Sequence, residues 1–252
     1  SSLGAWGNAN RQPASPLPAV PSVSMVVILG LFIATLSTSP RAEATVAVEW
    51  ELALPGVSVS TVSDTSKRVE DFSSFSSGAL PSTGALEVGN FTAVSSSVID
   101  PPDPGGGIDY GGTGTKFGSV SANGSLTIDL PGEGARYVGF FWGAGDDRNT
   151  VEFYSGDTLL ASFTSNKIFE DGSGYVRDDY VGECVSGVSN CSGGEPYAFI
   201  NLQLSDPSTY FTKLVFKQGS SGGFEFDNLT TSTAWGGAGA TGKLLLDQQP
   251  EA

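Results

Sequence analysis

The sequence predicts an all-β protein, an antiparallel β-sandwich of jelly-roll-like type preceded by a signal peptide. Three observations predict the sandwich. Apolar residues recur with a period of two in one short segment after another. Gly, Pro, Asn and Asp punctuate those segments, and the 34 Gly among 252 residues suit many tight turns. After Ala44 no twelve-residue window carries a 3.6-residue period. Short strands separated by turn signals pack as a sandwich or a barrel. The 15 Phe and 4 Trp supply apolar area for its interior.

The strand candidates follow in chain order. Val46, Val48, Trp50, Leu52 and Leu54 share one face while Glu49 and Glu51 take the other, a half-buried strand with its acids in solvent. Ser125–Leu130 alternates Leu126, Ile128 and Leu130. Arg136–Trp142 is apolar on both faces and is predicted as a central strand covered on both sides. Thr150–Tyr154 and Thr158–Phe163 flank Ser155-Gly156-Asp157, a hairpin turn. Tyr197–Leu204, Tyr210–Lys217 and Phe224–Thr230 complete the set. Asp100–Gly118, rich in Gly and Pro, is predicted as a long loop, and 236–252 as a flexible Gly-rich tail. The folded domain is expected over 45–235.

Residues 1–24 carry Pro13, Pro16, Pro18 and Pro21 and a single charge, Arg11, and read as a disordered leader. Met25–Leu36 is uncharged. It is short for a hydrocarbon layer of ~30 Å, which takes ~20 residues, and suits the apolar region of a signal peptide. Ala42-Glu43-Ala44 supplies small residues for a cleavage site. Met25 is the single methionine, so translation is expected to start there, with 1–24 upstream and 25–44 engaging the export machinery. The expected location is the cell surface or the extracellular space.

Acidic residues number 27 and basic ones 12, a net charge of -15. That balance argues against nucleic-acid binding, which needs cations to displace phosphate counterions. Histidine is absent, which excludes an imidazole base and a Ser-His or Cys-His nucleophile. Cys184 and Cys191 lie in a Gly- and Ser-rich stretch. In an oxidising compartment a local disulfide is the natural reading, and two free loop thiols the alternative.

The run Val138-Gly-Phe-Phe-Trp-Gly-Ala-Gly-Asp-Asp-Arg-Asn-Thr-Val-Glu-Phe-Tyr-Ser-Gly-Asp-Thr-Leu-Leu-Ala-Ser-Phe163 resembles the central block of bacterial exosortase-dependent (PEP-CTERM-type) surface proteins. Val69-Glu-Asp-Phe72, Tyr110-Gly-Gly-Thr-Gly-Thr115, Glu195-Pro-Tyr-Ala-Phe-Ile-Asn201 and Gly222-Gly-Phe-Glu-Phe-Asp-Asn228 resemble further blocks in the same order. The resemblance implies an exported, surface-associated β-sandwich and carries no catalytic activity with it. The family normally ends in a Val-Pro-Glu-Pro-like motif, an apolar helix and a basic cluster, whereas this sequence stops at Gln249-Pro-Glu-Ala252. The expectation is therefore either a truncated sorting tail or a member that is simply secreted.

Four candidate chemistries emerge. Glu70, Asp71 and Asp227 stand on what would be the first and last strands, which lie side by side in jelly rolls; they suit a calcium ion, which takes six to eight oxygen ligands. The alternative is a solvated or salt-bridged set, with Arg68 or backbone amides as partners. Asp146, Asp147 and Asn149 offer oxygen ligands on a Gly-softened turn, for a cation or for sugar hydroxyls, or else cap the turn's own backbone. Tyr110 and Tyr180 are loop aromatics on which a sugar ring could stack, whereas Trp142 is expected in the core. Glu152 and Asp157 are a carboxylate pair of the kind glycoside hydrolysis requires. From these features the expected function is a non-catalytic exported surface or matrix protein stabilised by calcium. A carbohydrate-binding module for exopolysaccharide or a surface glycan is the second reading, and a polysaccharide hydrolase the third.

Overall fold

Alternating aromatic and β-branched residues build the strands of the computed structural model, which describes residues 48–100, 116–170, 180, 195–234 and 245–246. The elements are β1 (Val48–Leu52), β2 (Arg68–Glu70), β3 (Gly78–Ala79), β4 (Thr83–Leu86), β5 (Gly89–Ile99), β6 (Phe117–Asp129), β7 (Tyr137–Gly143), β8 (Asn149–Ser155), β9 (Thr158–Thr164), α1 (Ser165–Glu170), β10 (Ala198–Leu204), β11 (Lys213–Gln218), β12 (Gly223–Ser232) and β13 (Leu245–Leu246). The pairings run β13-β1-β10-β7-β12-β6-β11-β8-β9, with β5 on β6, β3 and β4 on β5, and β2 on β12. The ladders are antiparallel, and the sheet folds over on itself into a sandwich.

The long strands β5 and β6 make the fold-over. The first half of β6 pairs with β12 over Gly118–Ser121, and the second half with β11 over Ser125–Asp129. Between them Asn123 takes a left-handed φ of 58°, and opposite it β5 shifts register around Ser95, φ 51°. A bulge of this kind bends a strand and lets it pass from one layer to the next. Gly124 sits at the bend because a Cβ there would lie 2.6 Å from the Val94 carbonyl oxygen.

The two layers meet through aromatic rings. Phe216 of β11 stacks on Phe226 of β12 with centroids 4.2 Å apart. Phe140 meets Phe216 edge-on at 5.3 Å, and Trp142 stacks on Phe224 at 4.7 Å. Trp50 of β1 closes the far side against Phe163 of β9 at 6.2 Å. Each fully buried Phe contributes about 1.5–3 kcal/mol from burial, and ring pairs add to it.

The anticipated strands are present, and so are some that were not anticipated. Phe117 and Gly118, assigned to a loop, begin β6, and the Ser-rich β5 carries a weak apolar signal. The helix α1 has six residues, too few to show a period. Strict alternation would put Leu229 on the same face as Asp227, but it joins the core with Phe224 and Phe226. The register of β12 on β7 shifts between Asp227 and Thr230, and Asn228 has a φ of 51°, so alternation breaks there.

All seven residues of β7 are buried. Its outer face is covered by the segment that follows β1, in which Ala53 and Val57 pack against Phe141, Phe199 and Tyr197. The Ser60 hydroxyl meets the Tyr137 hydroxyl at 2.7 Å, and Asn228 Nδ2 donates to the Ser58 carbonyl at 3.1 Å. This cover shapes the candidate site.

Candidate functional site

Where the covering segment turns into β2, a cavity of about 440 Å³ opens at the surface. One wall is Thr65–Arg68, the second Leu130–Gly132 with Gly134 and Ala135, and the third Thr231–Thr233 at the end of β12. Asp64 builds the first wall by accepting the Ser66 amide at 2.8 Å and the Ser66 hydroxyl. The Ser232 hydroxyl donates to the other oxygen of Asp64 at 2.6 Å, and the Thr233 amide donates to the Ser66 hydroxyl at 2.9 Å. Two walls are thus stitched together through one carboxylate. Burial raises the Asp64 carboxyl, but the hydrogen bonds from Ser232 and Ser66 outweigh it, Lys67 adds to them, and the group is held below its ordinary value. The remaining wall depends on Gly134, with a φ of 102°, where a Cβ would strike the Phe211 carbonyl. The groove therefore presents hydroxyls, two cations and small residues, with its carboxylate turned to structural use.

A buried polar row leads toward this groove under the covering segment. Glu51 stands opposite Asn201 in the β1–β10 register, and Tyr137 stands opposite Ser232 in the β7–β12 register. Tyr137 donates to Asn201 Oδ1 at 2.6 Å, and Gln203 Nε2 donates to Glu49 at 2.8 Å. Glu51 Oε1, Asn201 Nδ2 and Gln203 Oε1 are buried without a hydrogen-bond partner. Burial pushes the Glu51 carboxyl up to about 7 and raises the Tyr137 phenol strongly. The sequence placed Glu51 in solvent, yet it is 2% exposed, because the segment beyond Leu52 folds back over its face.

Several of the described residues singled out in the sequence are engaged by the chain's own groups. Glu70 is buried and accepts the Phe72 amide at 2.7 Å and the Glu87 amide at 2.9 Å; burial raises its carboxyl. Asp71 accepts the Ser73 hydroxyl at 2.7 Å and the Ser73 amide at 3.0 Å, and these bonds lower its carboxyl. Asp227 is buried and accepts the Asn228 amide at 2.6 Å. Among the described residues no three carboxylates gather as a metal group, so Glu70, Asp71 and Asp227 are not brought together as such. Asn149 is wholly buried. Its Oδ1 accepts Trp142 Nε1 at 3.0 Å and the Asp146 amide at 3.1 Å, and its Nδ2 donates to Gln218 Oε1 at 2.6 Å and the Gly223 carbonyl at 2.9 Å. Asp146 accepts the Arg148 amide at 2.6 Å and Gln218 Nε2 at 2.9 Å. This turn uses its polar atoms internally. Asp147 is exposed and lies 3.8 Å from Arg148 Nε.

Tyr180 is corrected from a stacking platform to a core residue, 2% exposed, with its hydroxyl on the Ala53 carbonyl at 2.9 Å. Tyr110, Cys184 and Cys191 lie outside the described residues. Glu152 takes Lys217 Nζ and the Tyr154 hydroxyl, each at 2.6 Å, and the latter bond is the main reason the Tyr154 phenol is pushed up to about 12. Asp157 lies in solvent, 3.7 Å from Lys213. Apart from Arg68, which the sequence offers only as a partner for carboxylates, the groove residues are not marked out in the sequence, because Thr, Ser and Lys in turns carry no spacing signature; the Asp64-Thr-Ser66 turn is the available clue.

No protein-family model matches the chain, and no curated protein does. Among solved structures, the chain is similar to the catalytic domain of a GH87 alpha-1,3-glucanase in complex with tetrasaccharides, at 15% identity and a TM-score of 0.38. The match covers 69% of this chain and 29% of that one. Against this match the expectation of a non-catalytic protein is corrected: absence of activity is not retained as a conclusion.

Proposed function

We propose that the chain is an exported domain that binds a glycan in the groove between Thr65–Arg68, Leu130–Gly132 with Gly134 and Ala135, and Thr231–Thr233. The observation that carries this reading is the groove itself. Its volume of about 440 Å³ falls within the ~300–1,000 Å³ usual for small-ligand sites, and its walls alternate hydroxyls with small apolar residues. Saccharides are held by many hydrogen bonds to hydroxyl, amide and charged groups in a concavity fixed before binding. The Asp64, Ser66 and Ser232 bonds supply that rigidity. The apolar run from Met25 and the Ala42-Glu43-Ala44 site support export.

A glycan array probed with the purified chain tests the reading. Thr233 is exposed, and no bond of its side chain is broken by Thr233→Trp, which fills the groove from outside. This variant is expected to lose at least about tenfold in affinity with an unchanged melting temperature. Unaltered glycan binding in Thr233→Trp would place the ligand elsewhere.

A further inference from the structure

We infer that the groove selects an acidic saccharide, one bearing a carboxylate or sulfate; this rests on the glycan reading above and names its ligand class. The lining contains Lys67 and Arg68 and no Asp or Glu, in a chain with a net charge of -15. Among the described residues the ion pairs are Arg148 with Asp147, Lys213 with Asp157 and Lys217 with Glu152, and neither groove cation takes part in one. Lys67 Nζ donates to the Ser60 carbonyl at 3.0 Å, and Arg68 donates to the Glu87 carbonyl at 3.4 Å. Both acceptors are neutral carbonyls, so most of the donors on the two cations stay available. Asp64 offsets part of the Lys67 charge, but its oxygens are occupied by Ser66 and Ser232 and it forms no ion pair with Lys67, so the two cations together leave the groove net positive.

A neutral sugar would leave this pair of charges unused. A planar carboxylate or a sulfate matches the guanidinium fork and adds a charge-assisted bond from the ammonium. A concave wall also strengthens the field of its cations over what an open surface gives. The overall negative charge repels an acidic polymer from the rest of the surface, which confines productive contact to the groove.

The test is titration calorimetry of the full chain with three probes: a uronic-acid oligosaccharide, its carboxyl-reduced counterpart, and inorganic sulfate. The acidic oligosaccharide is expected to bind at least about tenfold more tightly than the reduced one. Arg68→Gln, which gives up one long bond at the surface, is expected to erase most of that preference with an unchanged melting curve, and Lys67→Gln the rest. Equal affinity for the two oligosaccharides overturns the inference and leaves the glycan reading standing, as does a preference that survives both substitutions. Binding of sulfate without either sugar supports the anion site and overturns the glycan reading.

Discussion

Asn149→Ala is expected to destabilise the domain by about 3–5 kcal/mol, because four partners, two of them buried and two half-buried, lose their bonds at once. Trp142 Nε1, the Asp146 amide, Gln218 Oε1 and the Gly223 carbonyl all meet on this one wholly buried amide. It joins the start of β8 to the ends of β7, β11 and β12, so its loss loosens the layer contact around Trp142. For a domain of this size that corresponds to a melting temperature lower by about 10 °C or more. Asn149→Asp separates the two halves of the argument. It keeps an acceptor for Trp142, but sets an oxygen against Gln218 Oε1 and the Gly223 carbonyl. At neutral pH it is expected to cost as much as the alanine. Thermal and urea unfolding measure both, and a melting point within about 2 °C of the parent for either variant would contradict the role given to this side chain.

The second large effect is a pH dependence centred on Glu51. Its carboxyl stands near 7 in the folded chain against 4.5 when exposed. Below 4.5 both states hold the proton and the group favours neither. Between 4.5 and 7 the unfolded chain ionises while the folded one does not, so stability falls as pH rises, by about 3 kcal/mol in all. Above 7 the loss is complete. Glu51→Gln cannot ionise, and its amide oxygen faces the same neighbours as the acid. It is expected to match the parent at pH 4 and to melt about 6–12 °C higher at pH 8. Identical pH profiles for the two proteins would show that Glu51 is solvated and that the covering segment does not seal it.

Much of the sandwich was legible. Trp50, Phe140, Trp142, Phe153, Phe163, Phe216, Phe224 and Phe226 lie in strands that alternate or are apolar throughout, and each is in the core. The reading that Arg136–Trp142 is covered on both sides holds because a loop, and not a second sheet, covers its outer face. Strand β5 was missed because five of its exposed or half-buried positions are Gly, Asn, Thr and Ser, which also spell a loop. The break at Asn228 was invisible because a bulge shifts register without altering composition.

The site was less legible for a related reason. Carboxylates draw attention in a sequence, yet Glu70, Asp146 and Asp227 bind amides of their own chain. Whether an acid faces a ligand or a backbone depends on loops, and loop geometry leaves no periodic trace. Glu51 shows the same limit, since alternation gives the face of a strand and not what later covers it. Lys67 and Arg68 converge with Thr231–Thr233 only because β2 pairs with β12, a contact between distant parts of the chain.

The central claim is that the groove beside β2 is where the ligand sits, and amide chemical-shift mapping during titration with an acidic oligosaccharide tests it most directly. The account requires the largest shifts at 65–68, 130–135 and 231–233, with those of the outer strands β8 and β9 unmoved. Shifts concentrated on Glu152, Tyr154 and Lys217, with the groove amides silent, would contradict it.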